Sequence, residues 1–199
     1  MSTATAFLRH RMRRLALASV LVPLLSACAS VAHVAYTPTT TRTARGAVRL
    51  GEFDYLPAAE NAPSRLKMNE ILLDDGVVSK FMPRMRLMLD QPVAQLVRDG
   101  IAAELVRAGV KADSKLLMTG AIDAFVPMHG ALNGGLLRVH FTVVDTETGR
   151  QVYRKTQEAA GAGSYLPAGG YQGNLAPLIH QCADQLLSDP EFEQAIQRG

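Results

Sequence analysis

The stretch that decides the fold is LRVHFTVVDTETGRQVYRKT, residues 137–156. Its first part alternates strictly between apolar and polar side chains, which predicts a strand with one buried face. The apolar members of that alternation are Leu137, Val139, Phe141 and Val143. Asp145–Gly149 has the polar and glycine residues of a hairpin loop, and residues 151–156 predict the returning strand. The segment therefore predicts an antiparallel hairpin with its apolar face on a core.

Further strands and helices flank this hairpin. Residues 48–55 and 116–126 alternate as strands, and the apolar phase of the first changes at Gly51, which predicts a β-bulge there. Two further segments, 90–108 and 174–187, carry the apolar stripe of amphipathic helices. Gly109 is predicted to end the first of these helices. Residues 189–196 predict a short helical turn. The order β-α-β-β-β-α predicts an α+β two-layer sandwich, with a mostly antiparallel sheet carrying both amphipathic helices on one face.

The first helix has a buried stripe and a solvent side. Gly100 interrupts it, and since glycine costs about 1 kcal/mol relative to alanine in a helix interior, it predicts close packing against a sheet. The predicted stripe consists of Val93, Val97, Ile101 and Leu105. The charged residues expected mainly on the solvent side are Arg98, Asp99, Glu104 and Arg107.

Residues 58–89 show no continuous period. Runs at 69–73 and 76–81 predict two short strands in an edge hairpin that turns at 74–76. An exposed edge strand there would allow a partner segment to add to the sheet. Met82, Met85 and Met88 lie three residues apart, a spacing that we interpret as core filling rather than as a ligand set.

The N-terminal residues have the three parts of a secretory signal. A run with four arginines precedes the apolar segment 15–27, which is shorter than the roughly 20 residues that a membrane-spanning helix needs. Residues 25–28, Leu-Ser-Ala-Cys, match the lipobox of bacterial lipoprotein signals. That resemblance implies cleavage between Ala27 and Cys28, and lipidation of Cys28 with the two or more acyl chains that a stable anchor requires. The alternative is an ordinary secretory signal cut near Ala27 or Ala29.

Cleavage at this position divides the chain into three predicted parts. Residues 1–27 are the signal peptide, residues 28–46 the lipidated N-terminus with a flexible, threonine-rich tether, and residues 47–199 one α+β globular domain. By resemblance to enterobacterial lipoproteins, Ala29 in place of Asp after the lipidated cysteine favours the outer membrane. We therefore expect a lipid-anchored protein of the cell envelope that faces the periplasm.

Charge and cysteine content exclude several classes of protein. The chain has 21 Lys plus Arg against 18 Asp plus Glu, but four arginines lie in the signal, so the mature chain keeps 17 against 18. A nearly neutral chain without Trp does not have the basic surface that nucleic-acid binding requires. With Cys28 lipidated, Cys182 is the remaining thiol, so no intramolecular disulfide is expected.

No motif in the sequence indicates catalysis, a metal or a cofactor. Ser164 lacks the glycine two residues later that a nucleophile elbow needs, and the glycine-rich loop 161–173 lacks the Gly-Lys-Ser/Thr of a phosphate-binding loop. Asp123 and Asp145 have no carboxylate paired with them by spacing, and Cys182 on a buried stripe predicts an inert thiol. The histidines expected to be solvated rather than ligands are His33, His129, His140 and His180.

Four short motifs resemble a known family. They are Val48-x-Leu50-Gly51-x-Phe53-x-Tyr55-x-Pro57, Leu105-x-x-Ala108-Gly109-Val110, Gly120-x-Ile122-x-x-Phe125 and Val144-Asp145-x-x-Thr148-Gly149. Together, over residues 46–192, they resemble YajG-like lipoproteins and, more remotely, auxiliary lipoproteins of ABC-type intermembrane transporters. The resemblance implies an α+β fold and a lipid-anchored, periplasm-facing role, with no catalytic residues to carry over.

These observations lead to an expected function. We expect a non-enzymatic accessory or binding module anchored in the envelope, with an envelope protein, such as a component of a transport system, as its partner. The alternative is a structural or assembly lipoprotein that contacts peptidoglycan or outer-membrane proteins. A hydrolase built on Ser164 with His129 or His180 is the enzymatic alternative. No sequence feature indicates the oligomeric state.

Overall fold

The residues that the computed structural model describes are 31–57, 66–73, 86–128, 135–161 and 171–198. Their strands are β1 (Val31–Ala32), β2 (Arg49–Tyr55), β3 (Glu70–Leu72), β4 (Arg86–Leu89), β5 (Leu116–Val126), β6 (Leu136–Asp145) and β7 (Gln151–Ala160). Their α-helices are α1 (Val93–Arg107), α2 (Leu175–Leu187) and α3 (Pro190–Ile196), and a 3₁₀ turn, Tyr171–Asn174, precedes α2.

The main sheet has four strands in the order β2-β5-β6-β7. The predicted hairpin is present as β6 and β7, and β5 is antiparallel to β6, whereas β2 pairs with β5 in parallel. A parallel pair requires a long crossover, and this one contains α1. The register between β2 and β5 shifts between Leu50 and Phe53, which confirms the bulge predicted at Gly51. The α+β fold with a mostly antiparallel sheet is therefore confirmed.

Helices α1 and α2 contact each other and the main sheet. Their predicted stripes are buried, including Val97 and Ile101 of α1 and Ile179 and Cys182 of α2. Gly100 does mark a close approach, but to α2 rather than to a sheet. A Cβ at this position would lie 2.6 Å from Cγ2 of Ile179. Two helices on one sheet face must also pack against each other, and glycine lets them approach closely.

A second sheet has three strands in the order β1-β4-β3. The strand predicted at 69–73 is present as β3, but it pairs with β4, and all three of its side chains are buried. β3 is an edge strand of this sheet, but it is not exposed as we expected, because β4 and the end of β5 pack against it. The second predicted strand, residues 76–81, lies outside the described residues. Of the three methionines interpreted as core filling, Met82 and Met85 also lie outside them, and Met88 of β4 is partly buried.

Residues 31–46, which we call the strap, correct the prediction of a flexible tether. All described residues belong to one compact unit, Val31–Gly199. Within the strap, Ala32, Val34 and Ala44 are buried in the core, and the backbone N–H of Ala44 donates to the carbonyl of Ala108 at 2.8 Å. Small and threonine side chains have no period to reveal this packing, because the strap makes its contacts with β4 and with helices that are distant in the chain.

Among the described residues, no helix is both long enough and apolar enough to cross a bilayer.

Candidate functional site

Glu104 of α1 holds the strap against the helices. We expected it on the solvent side, but its side chain is fully buried. Its Oε1 accepts hydrogen bonds from the Tyr36 hydroxyl at 2.6 Å and from the Thr39 backbone N–H at 3.0 Å, and its Oε2 accepts from the Thr40 N–H at 2.9 Å. Nδ1 of His180, on α2, lies 3.0 Å from Oε1. One carboxylate thus joins the strap to two helices.

The ionisation of this carboxylate follows from its partners. Burial alone would raise the pKa of Glu104, but the hydrogen bonds from Tyr36, Thr39, Thr40 and His180 outweigh it, so the pKa lies below its usual value. Burial, and then the adjacent Glu104 carboxylate, raise the pKa of the Tyr36 hydroxyl. At neutral pH the pair is therefore a neutral phenol donating to a carboxylate.

Asp184, one helical turn after His180, gives α2 a second contact with the strap. Its Oδ1 accepts from the Thr40 hydroxyl at 2.6 Å, and its Oδ2 lies 3.7 Å from Nε2 of His180 and 3.9 Å from Nε of Arg42. We expected His180 to be solvated, but its side chain is only 31% exposed and lies between two carboxylates. The i, i+4 spacing of His180 and Asp184 is the signal that the sequence contained.

A second polar cluster lies where β7 meets α3. Asp189 is buried; its Oδ2 accepts from Nζ of Lys155 and from the Tyr153 hydroxyl, both at 2.9 Å, and its Oδ1 caps α3 through the N–H of Glu191. Burial would raise the pKa of Asp189, but the bonds from Lys155, Tyr153 and Glu191 lower it overall. The same contact with Asp189 raises the pKa of Lys155.

Residues around Asp184 and residues around Asp189 line one open groove of about 640 Å³ between β7 and α2. The residues that line it are Arg42, Lys155, Gln157, His180, Gln181, Asp184, Gln185, Ser188, Asp189 and Pro190. Its cations are the more exposed members of their ion pairs: Arg42 is 49% exposed against 31% for Asp184, and Lys155 is 46% exposed against 3% for Asp189. The groove therefore presents positive charge that is more exposed than the negative charge paired with it.

Strand β7 is an outer strand of the main sheet and borders the groove. The N–H of Gly161 donates to Gly135, so in this antiparallel register the even-numbered residues of β7 turn their backbone groups away from β6. Two of those outward carbonyls accept from α2: Glu158 from the Gln185 amide at 2.9 Å, and Ala160 from the Gln181 amide at 3.3 Å. The outward groups of Arg154 and Thr156 complete this edge.

The opposite face of the sheet carries a polar row across three strands. Nε2 of His140 lies 2.9 Å from Oδ2 of Asp123, and its Nδ1 lies 2.7 Å from the Thr156 hydroxyl. His140 faces outward with 44% of its side chain exposed, as predicted, but its two partners were not predicted. They come together because the sheet register places Thr156 opposite His140. Cross-strand pairs of this kind stabilise a sheet.

The remaining predicted residues lie apart from the groove. His33 pairs with Asp90 through its Nδ1. Asp145 accepts from the N–H groups of Thr148 and Glu147 in the hairpin loop, and the Thr148 bond lowers the pKa of Asp145 most. Burial raises the pKa of Cys182 to about 12, as expected of an inert thiol.

Four of the residues singled out in the sequence lie outside the described part of the chain. They are Cys28, Ala27, Ser164 and His129.

No metal centre is formed by the part of the chain that the structure describes, since no three His, Cys, Asp or Glu side chains there are grouped closely enough to hold an ion.

Comparison with known proteins identifies the fold. No protein-family model and no curated protein matches the sequence. Among solved structures, the chain is similar to a DUF330-family protein from Xanthomonas campestris, with a TM-score of 0.59 and 11% identity over 79% of this chain and 92% of that one. A second similar structure, of an uncharacterised protein, has a TM-score of 0.50 and 10% identity over 78% and 94%. At these identities the likeness shows a shared α+β fold, consistent with the one that the resemblance to YajG-like lipoproteins implied.

Proposed function

We propose that this chain is a lipid-anchored lipoprotein of the cell envelope, held by acyl chains on Cys28, and that it acts as a non-enzymatic binding module. Its partner is an envelope protein that adds an extended segment to the outer edge of β7. The observation that carries this proposal is the groove of about 640 Å³ directly beside that edge. Ala29 after the lipidated cysteine supports the outer membrane as its location.

Strand addition uses both features of this surface. Outward backbone groups of Arg154 and Thr156 supply the main-chain hydrogen bonds, which give affinity, while every second side chain of the added segment enters the groove and gives specificity. Because Gln181 and Gln185 occupy the outward carbonyls of Ala160 and Glu158 with neutral amides, an incoming N–H can replace them by exchanging one hydrogen bond for another.

The exposed cations of the groove define the partner further. Arg42 and Lys155 face outward above carboxylates that are more buried than they are. An acidic side chain on the added segment would therefore meet two exposed cations, and electrostatic complementarity of this kind favours the correct partner and register. The proposed ligand is an extended protein segment with an acidic residue among its inward-facing positions.

Photo-crosslinking in intact cells tests this proposal. A photoreactive residue at Gln185 should capture a specific envelope protein, whereas one at Thr142, on the opposite sheet face, should not. The captured segment, made as a peptide, should bind the purified protein and lose binding with Arg154→Pro. Proline at position 154 removes an outward N–H but no hydrogen bond to β6, and edge strands tolerate proline at such positions.

Other outcomes contradict the proposal. Capture of peptidoglycan fragments at Gln185 would favour the structural alternative. Strand addition at β7 would be contradicted by equal capture at Thr142. It would also be contradicted if the peptide bound Arg154→Pro as well as it binds the wild type. Multiple-turnover hydrolysis that is lost in Ser164→Ala would overturn the non-enzymatic role.

A further inference from the structure

The predicted anchor and the first strand are very close in the chain. Cys28 and Val31 are three residues apart, and an extended chain spans at most about 3.6 Å per residue, so the acylated residue lies within about 11 Å of β1. The tether predicted over residues 28–46 would have allowed a far greater separation. Since the strap is part of the folded unit, that freedom is lost.

From this we propose that one end of the domain lies on the lipid bilayer surface. This end consists of β1, the start of α1 and the residues just before β3. The inference rests on the proposed lipidation of Cys28 and adds to it a defined orientation. The bilayer is the occupant of this surface because the chain that leads to the acyl chains begins there.

Backbone hydrogen bonds define this end. The N–H of Asp90 donates to Ala32 at 3.1 Å, and the N–H of Val93, the first residue of α1, donates to Met68 at 2.8 Å. The strap then follows α1 to its far end, where Ala44 bonds to Ala108. A helix of 15 residues is about 22 Å long, so β1 and Met68 lie at one end of α1 and Val106 at the other.

The strap sets the orientation because it is fastened along its length. Tyr36, Thr39 and Thr40 bond to the buried Glu104, and Thr40 also bonds to Asp184. With β1 paired to β4 as well, the strap is held to the domain from its first residue, Val31. The length of chain between Cys28 and β1 therefore limits how far the domain can lie from its attachment point.

The surface at this end suits a lipid headgroup layer. Val31 and Met68 are two of the large apolar side chains that the described residues expose, at 52% and 74%. Lys67, 72% exposed, precedes Met68, so a cation stands beside an apolar side chain. Long cationic side chains at membrane surfaces place their apolar stem in the interface and their charge among the headgroups.

The opposite end carries the loop between β6 and β7. Leu116, at the start of β5, pairs with Asp145 beside this loop, whereas Met128, just after β5, bonds to Leu73 beside β3. Strands rise about 3.3 Å per residue, so the 11 residues of β5 separate the two ends by about 35 Å. Glu147 in the loop should therefore face away from the bilayer.

Lipid-dependent quenching tests the orientation. The lipidated mature protein, carrying Cys182→Ala, is reconstituted in phosphatidylethanolamine–phosphatidylglycerol vesicles that contain spin-labelled lipids. Three variants each carry one added cysteine at an exposed position, which is labelled with a fluorophore. They are Met68→Cys, Val106→Cys and Glu147→Cys. We expect quenching of the Met68 probe to exceed that of the Glu147 probe several-fold. The probe at Val106, the matched apolar control, should be quenched as little as the probe at Glu147.

Acyl labelling of the same preparations separates this inference from the one on which it rests. If Cys28 is acylated and the Met68 and Glu147 probes are quenched equally, the orientation is wrong while the lipid anchor stands. If Cys28 is not acylated, the proposed function itself fails and the inference fails with it.

Discussion

The hydroxyl of Tyr36 and the carboxylate of Glu104 lie 2.6 Å apart, although 68 residues separate them in the chain. This contact joins the segment that follows the predicted anchor to the helix that spans the core. It converts a stretch that looks like a linker into part of the folded domain, and it is the basis of the first two predictions.

Glu104→Ala should strongly destabilise the domain. It removes an acceptor shared by Tyr36, Thr39, Thr40 and His180 and leaves buried donors without a partner. We expect the free energy of unfolding to fall by about 3 kcal/mol, as when one partner of a buried charged network is lost. Urea denaturation measures this free energy.

The control is Asp99→Ala, on the same helix at a half-exposed position, which should change the free energy of unfolding by less than about 0.5 kcal/mol. An equally small effect of Glu104→Ala would contradict the buried hydrogen-bonding role of Glu104.

The stability of the domain should fall in acid, in part through Glu104. Its pKa is lower in the folded protein than in the unfolded chain, so the unfolded state binds protons first as the pH falls. The stabilisation is therefore fully present above the ordinary glutamate pKa, about 4.3, and is lost as the pH falls through the lower folded value. Urea midpoints at a series of pH values from 7 to 3 should fall less steeply in Glu104→Gln; identical slopes would exclude Glu104 as a contributor.

Gly100→Ala should destabilise the protein even though alanine favours helix. The helix itself would gain about 1 kcal/mol, but the new Cβ would lie 2.6 Å from Cγ2 of the buried Ile179. Because overpacking costs about 1–3 kcal/mol, we expect a net loss of about 1 kcal/mol in urea denaturation. Ile179→Ala removes the clashing carbon, so the double variant should be more stable than the sum of the single effects predicts. Strict additivity would show that α1 and α2 can move apart.

Cys28→Ser should abolish acyl labelling and release the domain from membranes. The thiol of Cys28 is the proposed attachment site, and serine does not replace it in thioether formation. Metabolic labelling with a fatty acid and membrane fractionation measure the two effects. Cys182→Ala is the control, because Cys182 is buried and its variant should remain labelled and membrane-bound. Retention of Cys28→Ser in the membrane fraction would contradict the anchor.

Alternation and helical periodicity in the sequence determined the central elements. Leu137, Phe141 and the hairpin loop specified β6 and β7, and the stripes of α1 and α2 specified two helices with one buried face each. Burial of a whole face imposes a period on the chain itself, so these elements can be predicted locally. The bulge at Gly51 followed from the same rule, because it shifts that period by one residue.

Only the tertiary structure decided the partners of polar and aperiodic residues. Glutamate is a residue type typical of solvent-facing positions, although the spacing of Glu104 from Val97 and Ile101 places it on the buried side of α1. Its charge is accommodated there only because Tyr36 and Thr40 arrive from far along the chain and His180 from another helix. The groove beside β7 likewise needs Arg42, Lys155 and Asp184 from three different segments. A period reports which face of an element is buried, but it carries no information about the distant chain that covers it. The sequence therefore predicts a tether where the structure has the strap.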